Sequence, residues 1–439
     1  MLAVYPAPQT KDLDIKQREP VFIHRKLNKP SCTHATMVKI DPFEVDHWIL
    51  TRSAGVKHNL AHSYCSAISI DDLRSGVGES ENEAASVWSS ILAQPMSYGP
   101  MKGSAALRSR IAELLYSDPS AEPLSVENIV TTPGASLANF LVLFALLGPG
   151  DHVVVQYPTY QQLYSLPAAI GAEVSLWKAH EEDGWRLDLD ELKQLIRPNT
   201  KMIVLNNPVN PTGAALSRAT LEKIIKIARE HSIIILSDEV YYPLFHSVSP
   251  VPPSIISLGY DKVVATSSLS KAYSLAGLRV GWIASRDPAI IDLCVNSRSY
   301  ALITLSQVDE HLASLALSPP TVQHLLERNT TLSKRNVQVV QAFIDQHSST
   351  CQWVQPAGAP IGFVKFVKGG RRIDDVELCT RLLERKSVLL VPGSKCFGDG
   401  KDFQGYVRLG FGEETGDLKA ALDAVHEFLE EEYGDLPVF

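Results

Sequence analysis

The chain has 439 residues, and its 41 basic and 49 acidic side chains leave a formal net charge of −8. This acidic balance argues against nucleic acid or an anionic membrane surface as a partner, because both need a concentrated basic patch. A hydrophobic fraction of 45% and a charged fraction of 21% exclude the disordered and fibrous classes.

Six cysteines are scattered along the chain without a Cys-x-x-Cys pair or a Cys/His cluster at metal-binding spacing. This pattern favours reduced thiols and gives no indication of a metal site, so we expect no metal. The first thirty residues do not resemble a signal or transit peptide, because they contain acidic residues and prolines and lack a long apolar run. The apolar run Phe140–Gly148 is too short to cross a bilayer. We therefore expect a cytoplasmic protein without a membrane partner.

The elements begin after a polar, proline-containing stretch at residues 1–40, which predicts an N-terminal arm. Short β-branched runs then alternate with turns and helical periods. The predicted strands are His152–Gln156, Met202–Leu205, Ile233–Leu236 and Val263–Thr266, and the predicted helices are Leu137–Leu147, Asp188–Leu195 and Arg218–His231. Continuous apolar runs are typical of strands buried on both faces. Residues 85–310 are thus predicted to form a large domain with a mostly parallel sheet covered by helices.

The pattern changes after about residue 310, where a long amphipathic helix is predicted. The elements expected there are a helix at Pro320–His347, strands near Gly362–Val367 and Ser387–Val391, and a helix at Gly416–Glu432. They predict a smaller α/β domain made of residues 311–439 and completed by residues 41–84. The predicted fold class is α/β, with a large domain that interrupts a smaller one built from both chain ends.

Chemically distinctive segments follow the four predicted strands of the large domain. They read QYPTY, NNPVNPTG, SDEVYY and SSLSK, in chain order. Because ligands of open α/β sheets bind at the carboxyl ends of the strands, these segments predict one site that combines an aromatic ring, an amide, a carboxylate and an amine.

Lys271 and Asp238 carry the most specific chemistry of this predicted site. Lys271 follows an apolar strand, where burial would lower its pKa and favour imine chemistry, although a lone lysine is usually a solvated surface group. Asp238 could cap a turn, or it could pair with a pyridinium nitrogen and keep a cofactor ring protonated as an electron sink.

A candidate phosphate site lies at the turn Thr132–Ser136, which opens a predicted helix. Free N–H groups and the helix dipole favour an anion there, but an ordinary helix cap would look the same. Ser268, Ser270 and Arg279 could donate to the same phosphate.

Tyr160 could stack on the cofactor ring or belong to the core or rim. Asn210 and Tyr241 could donate to a phenolate oxygen of the ring. The sequence Asn-Pro-Thr-Gly at Asn210 is equally good turn chemistry without a ligand.

Seven segments in register resemble the aminotransferase class I/II family of pyridoxal 5′-phosphate (PLP) enzymes, which have PLP fold type I. They are YGPMKGSAALR from Tyr98, PGAS from Pro133, YPTY from Tyr157, NPVNPTG from Asn207, SDEVYY from Ser237, SLSKAYSLAGLRVG from Ser268 and YVRLGF from Tyr406. Together they span about residues 85–430. Seven motifs in the right order make the resemblance specific, whereas each alone would be weak.

The resemblance implies PLP as the cofactor and Lys271 as the catalytic residue. Lys271 would bind PLP through a Schiff base and then move a proton between the substrate Cα and the cofactor. Asp238 would pair with the pyridine nitrogen and Tyr160 would stack on the ring. Asn210 and Tyr241 would bind the 3-oxygen.

The resemblance also implies how the phosphate and the substrate are bound. The phosphate would be held by Gly134, Ala135, Ser136, Ser268 and Arg279. Tyr98 would reach the phosphate of a neighbouring subunit, so the resemblance implies a homodimer. Arg408 would clamp the substrate α-carboxylate with its bidentate guanidinium.

The substrate side departs from the usual family pattern at Asn59–Ser66, which lacks an expected glycine-proline pair. The stretches from Phe43, Asn59 and Ser297 look similar to amino-acid cyclases of the capreomycidine-synthase kind. Arg298 is a candidate contact for the distal group of the substrate, or a surface arginine at a helix end. His62 is a candidate substrate contact or acid–base helper, or a structural histidine.

These observations predict an aminotransferase that acts on an amino acid and a 2-oxo acid. The alternative is β- or γ-elimination, replacement or cyclisation of a substituted amino acid on the same cofactor. A regulator without turnover is disfavoured, because about forty N-terminal residues are too few for a helix-turn-helix domain.

Overall fold

The computed structural model describes residues 40–75, 88–115 and 122–439. Residues 1–39 of the predicted N-terminal arm lie outside the described residues. The described chain begins with helix α1 (Glu44–Leu50), strand β1 (His58–Asn59) and helix α2 (Ile70–Ser75).

A seven-stranded sheet forms the centre of the middle part of the chain. Its strands are β2 (Ile129–Thr132), β3 (His152–Tyr157), β4 (Glu173–Lys178), β5 (Thr200–Asn206), β6 (Ile234–Asp238), β7 (Val263–Ser268) and β8 (Gly281–Ser285). They lie in the order β2-β8-β7-β6-β5-β3-β4. Strands β3 to β7 pair in parallel, whereas β8 is antiparallel to both of its neighbours, β2 and β7. Strands β3, β5, β6 and β7 are adjacent, so the four predicted strands end at the same edge of the sheet.

Helices flank this sheet and the sequence explains their positions. They are α3 (Ala105–Leu115), α4 (Gly134–Leu146), α5 (Gln162–Ala169), α6 (Leu189–Leu195), α7 (Arg218–Glu230), α8 (Pro288–Ser299) and α9 (Gln307–Ala316). Helix α7 begins where the Ser217 hydroxyl accepts from the amide of Thr220, and it buries Leu221, Ile224 and Ala228 at helical spacing. Helix α4 begins three residues before the predicted start, because the turn at Gly134 already belongs to it.

The C-terminal part contains a second, five-stranded antiparallel sheet. Its strands are β9 (Cys351–Trp353), β10 (Ile361–Lys368), β11 (Arg371–Arg372), β13 (Val391–Pro392) and β14 (Tyr406–Gly410). The helices of this part are α10 (Pro319–Gln346), α11 (Asp375–Lys386), α12 (Gly393–Phe397) and α13 (Thr415–Glu431). The strand predicted near Ser387–Val391 is two short strands, β12 (Val388–Leu389) and β13, which pair with different partners.

Strand β1 joins the N-terminal segment to this C-terminal part, since it pairs in parallel with β12. One hydrophobic cluster contains Val45 and Trp48 of α1 together with Phe363 of β10 and Phe428 of α13. The exact domain boundaries at residues 41–84, 85–310 and 311–439 stay a prediction. No helix within the described ranges is both long enough and apolar enough to span a membrane.

Candidate active site

A cavity of about 300 Å³ lies at the carboxyl ends of strands β3, β5, β6 and β7. Asn206, Asp238 and Ser268 are the last residues of three of these strands, and all of them line it. Eleven of the fourteen predicted site residues line this cavity: His62, Ala135, Ser136, Tyr160, Asn210, Asp238, Tyr241, Ser268, Lys271, Arg279 and Arg408. The structure therefore brings together residues that are up to 346 positions apart in the sequence, as His62 and Arg408 show.

The amine of Lys271 is held against the N-terminal segment. Its Nζ donates to Ser63 Oγ at 2.9 Å and lies 5.1 Å from the centre of the Tyr64 ring. Burial, reinforced by the positive charge of Arg408, lowers the pKa of Lys271 to about 8. About a tenth of the amine is then unprotonated at pH 7, far more than for an ordinary lysine, and this is the form that attacks a carbonyl or accepts a proton.

Asp238 is buried at the end of β6 and is held by a short hydrogen-bond chain. The Thr266 hydroxyl donates to Asn139 Oδ1 at 2.6 Å, which fixes the amide so that Asn139 Nδ2 donates to Asp238 Oδ2 at 2.8 Å. The amide of Val240 donates to Asp238 Oδ1 at 3.1 Å. Burial nevertheless raises the pKa of Asp238 to about 6. Since each carboxylate oxygen can accept more than one hydrogen bond, Asp238 can still receive a cationic N–H donor from the cavity.

The N-terminus of α4 and Arg279 form a cradle for an anion. Arg279 Nη1 donates to Ser270 Oγ at 3.2 Å and to the Ala276 carbonyl at 2.9 Å. Gly134 has a φ of +80°, and a Cβ there would lie 2.4 Å from Arg279 Nη2. Gly281 is equally confined, because its Cβ would lie 2.6 Å from the Gly134 carbonyl carbon. Glycine at these positions lets a guanidinium approach free helix N–H groups, which suits a phosphate.

Two further hydrogen-bond donors, on Asn210 and Tyr241, line the cavity. Asn210 accepts from Arg408 Nη1 through Oδ1 at 3.1 Å, which leaves its Nδ2 as a donor. Burial raises the pKa of Tyr241 to about 12, so its hydroxyl remains protonated and can donate. Tyr160 lines the same cavity, and its ring meets the edge of Phe43 with the ring centres 5.0 Å apart.

Arg408 is buried on β14 with 2% of its surface exposed. Its Nη2 donates to the Ala61 carbonyl at 2.7 Å, and its Nε has no hydrogen-bond partner. Within the described ranges no carboxylate forms an ion pair with it. Since a buried, unpaired charge is costly, an anionic ligand such as a carboxylate would be stabilised here.

His62 lines the cavity as an oriented ring. Asn59 Oδ1 accepts from the Ala61 amide, so Asn59 Nδ2 must donate to His62 Nε2, at 3.2 Å. His62 Nδ1 then donates to Glu413 Oε1 at 3.3 Å. With both nitrogens engaged, the His62 ring is held in place as part of the cavity wall and stacks on Tyr64. This arrangement favours a positioning role over acid–base chemistry.

Three predicted residues do not line the cavity. Gly134 lies just behind it in the cradle. Arg298 is neither in the cavity nor on the surface: it is fully buried in α8, and its Nη1 donates to the Thr131 carbonyl at 2.6 Å. Its guanidinium forms its hydrogen bond inside the core. The structure therefore gives no support to a contact between Arg298 and the distal group of a substrate.

Tyr98 is 77% exposed and does not line the cavity of its own chain. Its segment is fixed to α9, because Gln307 Nε2 donates to the Ser97 carbonyl at 2.7 Å and Glu310 Oε2 accepts from the Ser104 amide at 2.9 Å. The role of Tyr98 in a neighbouring subunit stays a prediction.

The lining residues that sequence reasoning missed include Ser63, Asn139 and Asp46. Asn139 could have been found, because it is a lone amide in a helix that is otherwise almost wholly apolar. Ser63 lies in the segment that departs from the family pattern. No local signal marks Asp46.

Comparisons with known proteins place the chain among aminotransferases. The model of the family "Aminotransferase class I and II" matches residues 90–425. The chain is 32% identical to an arginine–pyruvate transaminase of Pseudomonas aeruginosa, over 73% of this chain and 79% of that protein. It is 31% identical to a capreomycidine synthase of Streptomyces vinaceus, over 75% of this chain and 80% of that protein.

A solved structure of a PLP-dependent aminotransferase from Streptococcus suis superposes with a TM-score of 0.80 and 37% identity, covering 89% of this chain and 98% of that one. The α/β fold class and the family resemblance predicted from the motifs are thereby confirmed. The chain belongs to the aminotransferase class I and II family.

Proposed function

We propose that this protein is a PLP-dependent aminotransferase that moves the amino group of an amino acid to a 2-oxo acid. One observation carries the proposal. The amine of Lys271, the carboxylate of Asp238, the anion cradle at Arg279 and the buried guanidinium of Arg408 face one cavity. Each of these four groups has chemistry that amino transfer requires. The family to which the chain belongs indicates the enzyme class and PLP as the cofactor.

The cavity residues fit PLP. The donor set at Gly134, Ser268 and Arg279 suits its phosphate, and the buried carboxylate of Asp238 suits a protonated ring nitrogen. Asn210 Nδ2 and the Tyr241 hydroxyl are the donors for the ring oxygen. When bound, PLP supplies an electron sink for the negative charge that develops at the substrate Cα.

Lys271 and Arg408 handle the substrate. Arg408 binds and orients the α-carboxylate, since its buried guanidinium lacks an ion-pair partner among the described residues. This fixes the Cα proton relative to Lys271 Nζ. With its pKa lowered to about 8, Nζ accepts that proton from Cα and would deliver it to the cofactor to complete the half-reaction. Ser63 Oγ, at 2.9 Å, orients the amine.

Elimination, replacement or cyclisation of a substituted amino acid is the second candidate. It is supported by the similarity to a capreomycidine synthase and by the unusual Asn59–Ser66 segment. The same Lys271 Nζ and Arg408 would serve, because these reactions also start with removal of the Cα proton.

We also propose a homodimer in the cytoplasm. Large apolar side chains are exposed in the region of Tyr98, as expected of a face that a second copy covers. They are Leu92, Met96, Met101, Tyr300 and Ile303. The cytoplasm is supported by the five cysteines of the described residues, which are all free thiols.

The proposal is tested by incubating the purified holoenzyme with single amino acids and a 2-oxo acid, and by identifying both products by mass spectrometry. We expect paired formation of a new amino acid and a new 2-oxo acid. Lys271→Ala should abolish this, and the cofactor should no longer become attached to the protein on borohydride reduction. Lys223→Ala, an exposed lysine on α7, is the matched control. Release of ammonia without amine transfer would reject amino transfer, and full activity of Lys271→Ala would reject the mechanism.

A further inference from the structure

Asp46 is an acidic residue of the cavity that the chemistry described above does not use. It lies on α1 and lines the cavity together with Val45 and Ile49, so one face of this helix forms part of the wall. Its charge acts on Lys271 and Arg408. No described residue forms a hydrogen bond or an ion pair with its carboxylate.

The position of Asp46 is fixed by the anchoring of α1. Trp48 is buried, and its Nε1 donates to the Leu390 carbonyl at 2.8 Å. At the start of the helix, the Glu44 amide donates to Gln161 Oε1 at 2.8 Å. Because both ends of this short helix are tied to other elements, the Asp46 carboxylate is presented to the cavity by a rigid support.

The charges of the cavity lead to a role for Asp46. Under the proposed function, Lys271 and Arg279 bind the cofactor, Arg408 binds the α-carboxylate of the substrate, and Asp238 binds the ring nitrogen. Once the substrate carboxylate has neutralised Arg408, the cations that oppose Asp46 are engaged elsewhere. Although Asp46 is an exposed residue, desolvation at the cavity wall raises the pKa of its carboxyl despite those cations, so an ionised Asp46 gains from a new positive partner.

We propose that Asp46 binds a positively charged group at the end of the substrate side chain, so that the preferred substrates are amino acids with a terminal guanidinium or amine. This inference rests on the proposed function. Val45 and Ile49 provide apolar surface for the methylene chain of such a substrate. A distal carboxylate would be repelled by Asp46, and a neutral side chain would leave it unpaired. We therefore expect the enzyme to prefer substrates with a cationic side chain over those with a neutral one, and neutral side chains over acidic ones.

The test compares arginine with citrulline, which replaces the guanidinium by a neutral urea group of nearly the same shape, and adds glutamate as the acidic member. For the wild-type holoenzyme we expect kcat/KM for arginine to exceed that for citrulline by about 10- to 100-fold, the usual effect of a charge-assisted contact. Asp46→Asn should lower the arginine value to the citrulline value and change the citrulline value by less than about threefold. Asp41→Asn, an exposed acid outside the cavity, is the matched control and should keep the preference.

A binding measurement separates recognition from turnover. Calorimetry with 5-guanidinopentanoate, which lacks the reacting amine, should show binding to the wild type at least tenfold tighter than to Asp46→Asn. Equal binding by the two proteins, or an equal loss of kcat/KM for all three substrates, would overturn the role of Asp46 while leaving amino transfer standing. Conversion of arginine to a cyclic or eliminated product that still depends on Asp46 would keep this inference and reject amino transfer.

Discussion

The anion cradle predicts that Gly134→Ala weakens PLP binding through Arg279. The added Cβ would lie 2.4 Å from Arg279 Nη2, and the backbone at Gly134 has a φ of +80°. Gly259→Ala is a matched control, because its φ is +72° and its Cβ would meet no atom within 4 Å. Both variants carry the backbone cost of a non-glycine residue at positive φ, roughly 1–2 kcal/mol. Only the change at Gly134 displaces a guanidinium.

Loss of a hydrogen bond to a charged group costs about 1.5–3 kcal/mol. We therefore expect the dissociation constant of PLP to rise roughly 10- to 150-fold for Gly134→Ala and to stay unchanged for Gly259→Ala. It is measured by titrating the apoprotein with PLP and following protein fluorescence, while the thermal midpoint of each apoprotein reports the shared backbone cost. The same titration with Arg279→Ala and with the Gly134→Ala/Arg279→Ala double variant tests whether the loss of PLP binding acts through Arg279. If Gly134→Ala weakens binding as much without Arg279 as with it, the reasoning is refuted.

Two further predictions concern buried polar groups near the cavity. Asn139→Leu removes the donor to Asp238 and should raise the pKa of Asp238 further above 6. As the pH is lowered, the affinity for PLP should therefore start to fall at a higher pH than in the wild type. The control Ser285→Ala removes a buried hydroxyl from β8 and should leave that pH unchanged, and an equal shift in both variants would contradict the assignment. Burial raises the pKa of Glu239 from 4.5 to about 7. The folded protein therefore binds a proton at Glu239 more tightly than the unfolded chain does. The free energy of unfolding that this proton contributes is complete below pH 4.5 and is lost as the pH rises through 7. Glu239→Gln should therefore stabilise the apoprotein by up to about 3 kcal/mol at pH 8 and by almost nothing at pH 4.5, and thermal midpoints that differ from wild type equally at both pH values would disprove this.

The gathering of the proposed cofactor residues at one cavity could be predicted from the sequence, because their chemistry is local. Lys271 and Asp238 each follow an apolar strand, so the rule that ligands bind at strand ends places them together without knowledge of the packing. The parallel core of the sheet followed from the same runs. Strands β2, β4 and β8 were not predicted, and β4 lacks a continuous apolar run because it alternates buried and exposed positions between two helices.

The substrate half could not be predicted in the same way, because long-range pairing positions it. Ser63 reaches Lys271 since β1 pairs with β12, more than 300 residues later. Asp46 faces the cavity since Trp48 anchors α1 to the Leu390 carbonyl. Arg298 illustrates the converse: its place at a helix end suggested either a ligand contact or the surface, but the packing of α8 turns it into the core.

The cavity is assembled from two separate parts of the chain, which has an evolutionary consequence. The groups that suit the cofactor come from residues 134–279 on the seven-stranded sheet, whereas Asp46, His62 and Arg408 come from α1, the segment after β1, and β14. Under the proposed roles, substitutions in the second set would redirect substrate choice while the first set, and with it the proton transfer at Lys271, stays intact. Selectivity and catalytic power would then be inherited separately, and α1 would be the short element through which new substrates are acquired.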